Sequence, residues 1–158
     1  MIKLTKKEKE IIAYILSLDV ENLIRNDLAQ SMAILIDDKA LEGSGSSGNP
    51  TGITNTSGIN TVSLSSAAAP TFAEMVSMET AVRVDNALLG DLAYIIHPTN
   101  YGTLKTTEKA TNTAQFVAVN DQINGYQAVV SPQLTANNYV FGNFNDLLIG
   151  MFGSLDIL

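Results

Sequence analysis

The chain has no cysteine, no tryptophan and a single histidine among its 158 residues. The first absence excludes a disulfide framework and thiolate metal sites, and one imidazole excludes a histidine-rich site. Basic residues are scarce as well: nine Lys and Arg stand against sixteen Asp and Glu, for a net charge of −7 and a pI near 4.5. Lys3, Lys6, Lys7 and Lys9 crowd the first ten residues, so the rest of the chain is more acidic than the total implies. A surface of that sign does not grip a phosphate backbone, and no sequence-specific nucleic acid is expected as a partner. Long apolar runs are missing too. The run from Ile11 to Leu18 falls far short of the ~20 residues that a bilayer crossing requires. Glu8 and Glu10 interrupt the lysines before it and no small-residue cleavage site comes after it, so neither a secretion signal nor a membrane partner is expected, and the chain reads as soluble and untargeted.

At 16.9 kDa the length suits one compact domain or one domain with an extended appendage. Ile11 to Leu16 fits either a short strand or the first turns of a helix, because so short a run carries no decisive period. From Asp19, a suitable N-cap, Val20, Leu23, Ile24, Leu28, Met32 and Leu35 recur at helical spacing. They predict a helix to about Leu41, roughly 33 Å long, stopped by Gly43. Its stripe is mixed, since Asp27, Ser31 and Asp38 project near the centre. Such a helix suits either a shell, where different sides meet different neighbours, or an ordinary domain whose polar positions sit at the rim.

Residues 43–60 form a loop rich in Gly, Ser, Asn and Thr, followed by a β segment over Thr61–Ser65 and a connector at Ala67–Pro70. Thr71-Phe72-Ala73-Glu74 has the capping-box pattern, predicting a helix from Thr71 with Met75, Met78, Val82 and Leu89 on its apolar face and Gly90 as its stop. Leu92–Ile96 reads as a strand buried on both faces, ended by His97-Pro98 ahead of a short helix over Thr99–Lys105, and Thr106–Ala114 reads as a loop. Strands are predicted over Gln115–Val119, Tyr126–Val130, Tyr139–Phe141 and Leu147–Phe152, with turns at Asn124-Gly125, Ser131-Pro132 and Asn137-Asn138. The fold class is therefore α+β, with the helix from Thr71 packed on a sheet that holds both Leu92–Ile96 and Tyr126–Val130.

Four landmarks in order carry a resemblance. The long helix running into Leu41-Glu42-Gly43-Ser44-Gly45 and then Pro50-Thr51-Gly52-Ile53 resembles the end of the spine helix in tailed-phage major capsid proteins. Leu92-Ala93-Tyr94-Ile95-Ile96-His97-Pro98 resembles that family's strand ending in a polar residue and proline. Asn124-Gly125-Tyr126-Gln127-Ala128-Val129-Val130 is similar to its Gly-x-x-Val-Val strand. Tyr139-Val140-Phe141-Gly142-Asn143-Phe144 is similar to its Phe-Gly-Asp-Phe turn, with Asn143 in place of the acid. The resemblance implies the tailed-phage capsid fold of the Hong Kong-phage type, shared with encapsulins. It places a partial peripheral domain with the spine helix at residues 1–42 and an axial domain, a mixed sheet flanked by helices, at 43–158. Such subunits also carry an N-terminal arm, an extended hairpin and a final peripheral strand. Against that pattern the chain reads as a fragment, not expected to close a shell alone.

The candidate chemical sites are weak. Gly43-Ser44-Gly45-Ser46-Ser47-Gly48 satisfies G-x-G-x-x-G, but that motif cradles a phosphate only between a preceding strand and a following helix. Here a helix precedes, Pro50 follows, and Asn49 stands where a phosphate-binding lysine would. His97 beside Pro98 reads as a turn residue. Asp37, Asp38 and Asp85 offer too few hard oxygens for a divalent cation and read as solvated helix face. Lys105 and Lys109 are not matched to the lysine-to-asparagine crosslinks of some capsid families. No catalytic, cofactor-binding or metal residue is assigned, and no cofactor is expected.

The expected function is that of a structural, non-enzymatic subunit of a phage or prophage capsid, found in the virion after assembly in the host cytoplasm. Its partners would be copies of itself, in hexamers and pentamers in the full-length context, and other capsid or scaffold proteins. An encapsulin-like compartment shell is the alternative within the fold. A small metabolite-binding enzyme domain using the Gly43–Gly48 loop is the alternative outside it.

Overall fold

The structure is a computed structural model that describes residues 5–150, apart from the side chains of residue 8 and residues 15–19. It divides into two compact units, one from the N-terminal residues to Asp37 and one over Asp38–Gly150. Helix α1 spans Lys6–Glu42. These 37 residues contain neither glycine nor proline, and the run is rich in Ala, Leu, Lys and Glu, so nothing local breaks the helix over about 55 Å. The expected N-cap at Asp19 is corrected: the helix passes through that position and begins at Lys6. The ambiguous run Ile11–Leu16 is helical. Of the two readings open in the sequence, a strand or the first turns of a helix, the second holds, because good helix formers lie on both sides. Glu21 and Arg25 add an ion pair at 2.7 Å with i,i+4 spacing, worth about 0.3 kcal/mol on a helix surface.

Within the second unit, a 3₁₀ turn at Ile53–Asn55 (η1) leads to helix α2, Phe72–Val84. Strand β1 (Leu92–Ile96), helix α3 (Pro98–Leu104) and strands β2 (Ala118–Val119), β3 (Gln122–Ile123), β4 (Tyr126–Val130) and β5 (Tyr139–Asn143) come next, and a 3₁₀ turn, η2, covers Phe144–Asp146. The strands form one mixed sheet in the order β2-β3-β4-β1-β5. β1 runs parallel to β4 with Ala93 opposite Gln127, and antiparallel to β5 with Tyr94 opposite Phe141. β2, β3 and β4 are joined by two-residue turns at Asn120-Asp121 and Asn124-Gly125. All four turn residues have positive φ, which the right-handed twist of tight hairpins demands and which Asn, Asp and Gly tolerate best.

One face of this sheet makes the core. Tyr94 and Ile96 of β1 and Ala128 of β4 point to the same side and pack with Met75 of α2, Tyr101 and Leu104 of α3, Val117 and Ile123. Phe141 closes over Tyr94 with ring centroids 4.5 Å apart, and Tyr126 meets Phe141 edge-on at 5.2 Å. Each such aliphatic or aromatic side chain contributes about 2 kcal/mol by leaving water.

Several sequence expectations need correction. Thr61–Ser65 forms no strand; the Ser65 amide is drawn to the Glu74 carboxylate instead of to a neighbouring strand. α2 stops at Val84, not at Gly90: Asn86 takes the left-handed conformation right after the cap, leaving Leu89 exposed outside the helix. The strand expected over Gln115–Val119 is confined to Ala118–Val119, because the Lys109 and Val117 amides are bonded to Gln115 and Thr107 carbonyls in a loop bridge. β3 had too few residues to register as a strand in sequence. Of the strand expected over Leu147–Phe152, residues 147–150 form none, and residues 151–152 lie outside the described residues.

Candidate assembly surface

α1 ends because its last turn is gripped by the loop it opens into. The Gly43 amide donates to the Lys39 carbonyl at 3.1 Å, closing the final helical bond. The next carbonyls are capped from further along the chain. Thr54 Oγ1 donates to Leu41 at 3.0 Å, Asn55 Nδ2 reaches Glu42 at 3.2 Å and Gly43 at 3.0 Å, and the Gly52 amide donates to Gly43 at 2.8 Å. Ser44 and Thr51 form a β-bridge across this clip. Its two glycines are required by contact: a Cβ on Gly43 would lie 2.2 Å from the Pro50 carbonyl oxygen, and one on Gly52 would lie 2.4 Å from the Gly43 nitrogen. Gly52 has an ordinary φ of −76°, so close approach and not backbone freedom selects glycine there.

The clip is tied to the far end of the sheet through Glu42. Its carboxylate accepts from the Thr135 amide at 2.9 Å, from the Thr135 hydroxyl, and from Asn138 Nδ2 at 3.1 Å. Partial burial would raise its pKa, but these bonds outweigh it and hold the pKa below the usual carboxylate value. Beside it Asn100, 2% exposed, donates to Asn137 Oδ1 at 3.1 Å and accepts from the Asn137 amide at 2.8 Å, fixing the turn before β5. At the start of α2 the capping box is complete. Thr71 Oγ1 accepts from the Glu74 amide at 3.3 Å and the Glu74 carboxylate accepts from the Thr71 amide at 2.7 Å. The Ser65 and Thr71 bonds together lower the Glu74 pKa to about 2.

Glu79 of α2 is buried without a cation. It accepts from the Tyr94 hydroxyl at 2.7 Å and from Asn124 Nδ2 at 2.8 Å, so α2, β1 and the β3–β4 turn share one polar knot inside the core. Burial, then the bond to Glu79, pushes the Tyr94 hydroxyl far above its ordinary pKa. This carboxylate was missed in the sequence. The available signal is its position, one turn after Met75 on the apolar face, where an acid needs partners. Thr54 and Asn55 had no local signal at all, since their carbonyl partners lie up to 13 residues earlier.

The weighed residues fall into separate places. Across residues 43–49 the Gly43, Gly45 and Asn49 amides are already bonded to the loop's and helix's own carbonyls, and Gly45, Ser47 and Gly48 take left-handed conformations that turn the chain back toward Pro50. His97 caps α3, its Nδ1 accepting from the Thr99 amide at 3.2 Å. Asp38 pairs with Lys39 at 2.8 Å, and Asp85 accepts from Asn60. Lys105 lies over the Tyr101 ring at 5.1 Å and Lys109 over Phe72 at 4.8 Å. The structure does not bring these residues together, and among the described residues no three His, Asp or Glu converge on a point that could hold a metal ion.

Two apolar surfaces stand open among the described residues. In the first unit Val20, Leu23, Ile24, Leu28 and Leu35 of α1 are exposed, Leu23 to 68%. In the second, a groove of about 530 Å³ opens between β5, α2 and the segment at residues 58–64. The sequence marked the helix residues but not the groove.

Helices joined to one mixed five-stranded sheet are consistent with the α+β fold of phage capsid subunits. Residues 12–158 match the family model for the Phage capsid family. The chain is also 33% identical over 141 residues to the major capsid protein of Halomonas phage phiHAP-1, an alignment covering 89% of this chain and 23% of that protein. The chain belongs to the phage capsid family. It spans about a quarter of the length of that relative.

Proposed function

We propose that this chain is part of a major capsid subunit, whose work is contact with copies of itself in an icosahedral shell of a phage or prophage. The carrying observation is the 33% identity to a major capsid protein across 89% of the chain. The exposed apolar stripe on α1 supports it, because a helix that leaves Leu23, Ile24 and Leu28 in water is finished by neighbours. Residues 1–42 then serve as a partial peripheral domain with its spine helix and residues 43–158 as the axial domain, the clip at Gly43–Gly52 being the junction. Its place is the virion, its partners are further copies in hexamers and pentamers and other capsid or scaffold proteins, and its assembly occurs in the host cytoplasm.

The role is structural and not enzymatic. The Gly43–Gly48 loop supports this, since its Gly43 and Gly45 amides, spent on the Lys39 and Pro50 carbonyls, are not offered to a phosphate. Sedimentation velocity across a hundredfold range of concentration, with electron microscopy of the same samples, tests the reading. Reversible oligomers growing with concentration are expected. A strict monomer at every concentration would sink it.

A further inference from the structure

β5 is an edge strand, paired to β1 on one side and to no described strand on the other. The groove lies on that free side, for Tyr139, Val140 and Phe141 line it while no residue of β1 does. The segment at residues 58–64 forms another wall. It runs antiparallel to α2, tied at one end by Asn60 to the Ala81 carbonyl and Asp85 and at the other by Ser65 to Glu74. Met78 and Val82 of α2 give the groove an apolar lining; it holds one carboxylate, Asp85, which accepts from Asn60, and one phenol, Tyr139, whose hydroxyl donates to the Ala67 carbonyl at 2.8 Å. An open strand edge beside an apolar channel is built to take an added strand, whose backbone pairs with the edge while alternate side chains fill the channel.

A segment of matching chemistry stands out on the same unit. Residues 147–150, Leu-Leu-Ile-Gly, carry no charge and no secondary structure, and Leu148 is 92% exposed. It does not reach the groove of its own copy. Asn145 Nδ2 donates to Asp91 Oδ2 at 3.2 Å and Asn143 Nδ2 to Asp146 at 2.7 Å, holding η2 beside the residue that precedes β1, on the paired side of β5. Copies with net charge −7 repel one another, so they meet best where an uncharged segment enters a groove that holds a single carboxylate, Asp85.

We propose that the groove beside β5 receives Leu147–Gly150 of a second copy of this chain as an added strand, with Leu148 entering the channel near Val82 and Phe141. The proposal deepens the self-association reading and rests on it for the partner. Segment and groove are different surfaces, so the contact is head-to-tail and propagates into a ring where the rotation closes.

The absence of cysteine makes the test clean. Leu148→Cys and Val140→Cys are prepared separately, mixed, and exposed to oxidised glutathione, with self-association followed by sedimentation. A disulfide-linked dimer of the two variants is expected, well above the yield from either alone. Leu148→Asp, at a site too exposed to disturb the fold, is expected to weaken self-association at least tenfold. Oligomers that form without the mixed disulfide, or that ignore Leu148→Asp, overturn the groove contact and leave the capsid reading standing. Strict monomers overturn both. In a chain carrying both Leu148→Cys and Val140→Cys, a disulfide within one copy, seen as a monomer mass, overturns the second copy as the occupant.

Discussion

Residues 20–35 of α1 and residues 92–104 are both rich in aliphatic side chains, and they dispose of them in opposite ways. Leu23, Ile24 and Leu35 of the helix each keep more than half their surface in water, whereas Tyr94, Ile96 and Leu104 are completely buried. The hydrophobic pattern is comparable; the presence of a partner element differs. Helical spacing of apolar residues states only that a face is to be covered, and not by what. In residues 92–104 the cover comes from α2 and the sheet of the same unit, so stability resides there. On α1 the described residues leave that face open, and in the proposed function the same residue types carry association.

The most direct way to break this contrast is a matched pair of truncations measured by urea unfolding of dilute, dissociated protein. Leu104→Ala is expected to cost about 3 kcal/mol through the cavity it leaves, and Leu23→Ala less than about 0.5 kcal/mol. Equal losses would mean that α1 is packed in the isolated chain and would remove the basis of the comparison. The clip gives the next largest effect. Gly52→Ala places a methyl group against the Gly43 amide and the Leu41 carbonyl and is expected to cost about 2 kcal/mol by forcing the helix end and the loop apart. Loss of helical circular dichroism with an intact sheet signal would localise the damage to the junction.

A smaller change sharpens the contrast at α2. Thr71→Ala removes one half of the capping box and is expected to lower the unfolding free energy by about 1 kcal/mol. A midpoint unchanged in urea would show that the Glu74 carboxylate alone suffices. Acid should act on the same places. Glu74 and Glu42 both have folded pKa values below 4.5, so their contribution is complete above that value and is lost as pH falls through the folded value, about 2 for Glu74. Stability should therefore decline between about pH 4.5 and 2, and Glu74→Gln should flatten part of that decline. A Glu74→Gln curve parallel to the wild type would refute the link.

How much of this was legible in the sequence depended on how local the physics was. The α2 start was readable because Thr71 and Glu74 are three residues apart, and β4 because Tyr126–Val130 follows an Asn-Gly turn. The stop at Gly43 was readable too. The partners that enforce it were not, because Thr54 and Asn55 act across the chain and their residue types suit any loop. Leu89 misled for a related reason: it continues the spacing of Met75, Met78 and Val82, but Asn86 had already turned the chain. The groove beside β5 was invisible in sequence, since it exists only where three separated segments meet.

The clip at Gly43–Gly52 also bears on the order in which the chain becomes organised in time. Thr54 reaches the Leu41 carbonyl across 13 residues, whereas Thr135 reaches Glu42 across 93. Closing the shorter loop is cheaper by about 2 kcal/mol, so the helix end is expected to be sealed before the sheet forms. During synthesis the exit of α1 is expected to fold first, with Glu42 then available as a mooring for the last turn before β5. Chevron kinetics separates the two events: Gly52→Ala should slow refolding, and Glu42→Gln should chiefly hasten unfolding. The reverse pattern would mean that the sheet forms first and the helix is moored to it afterward.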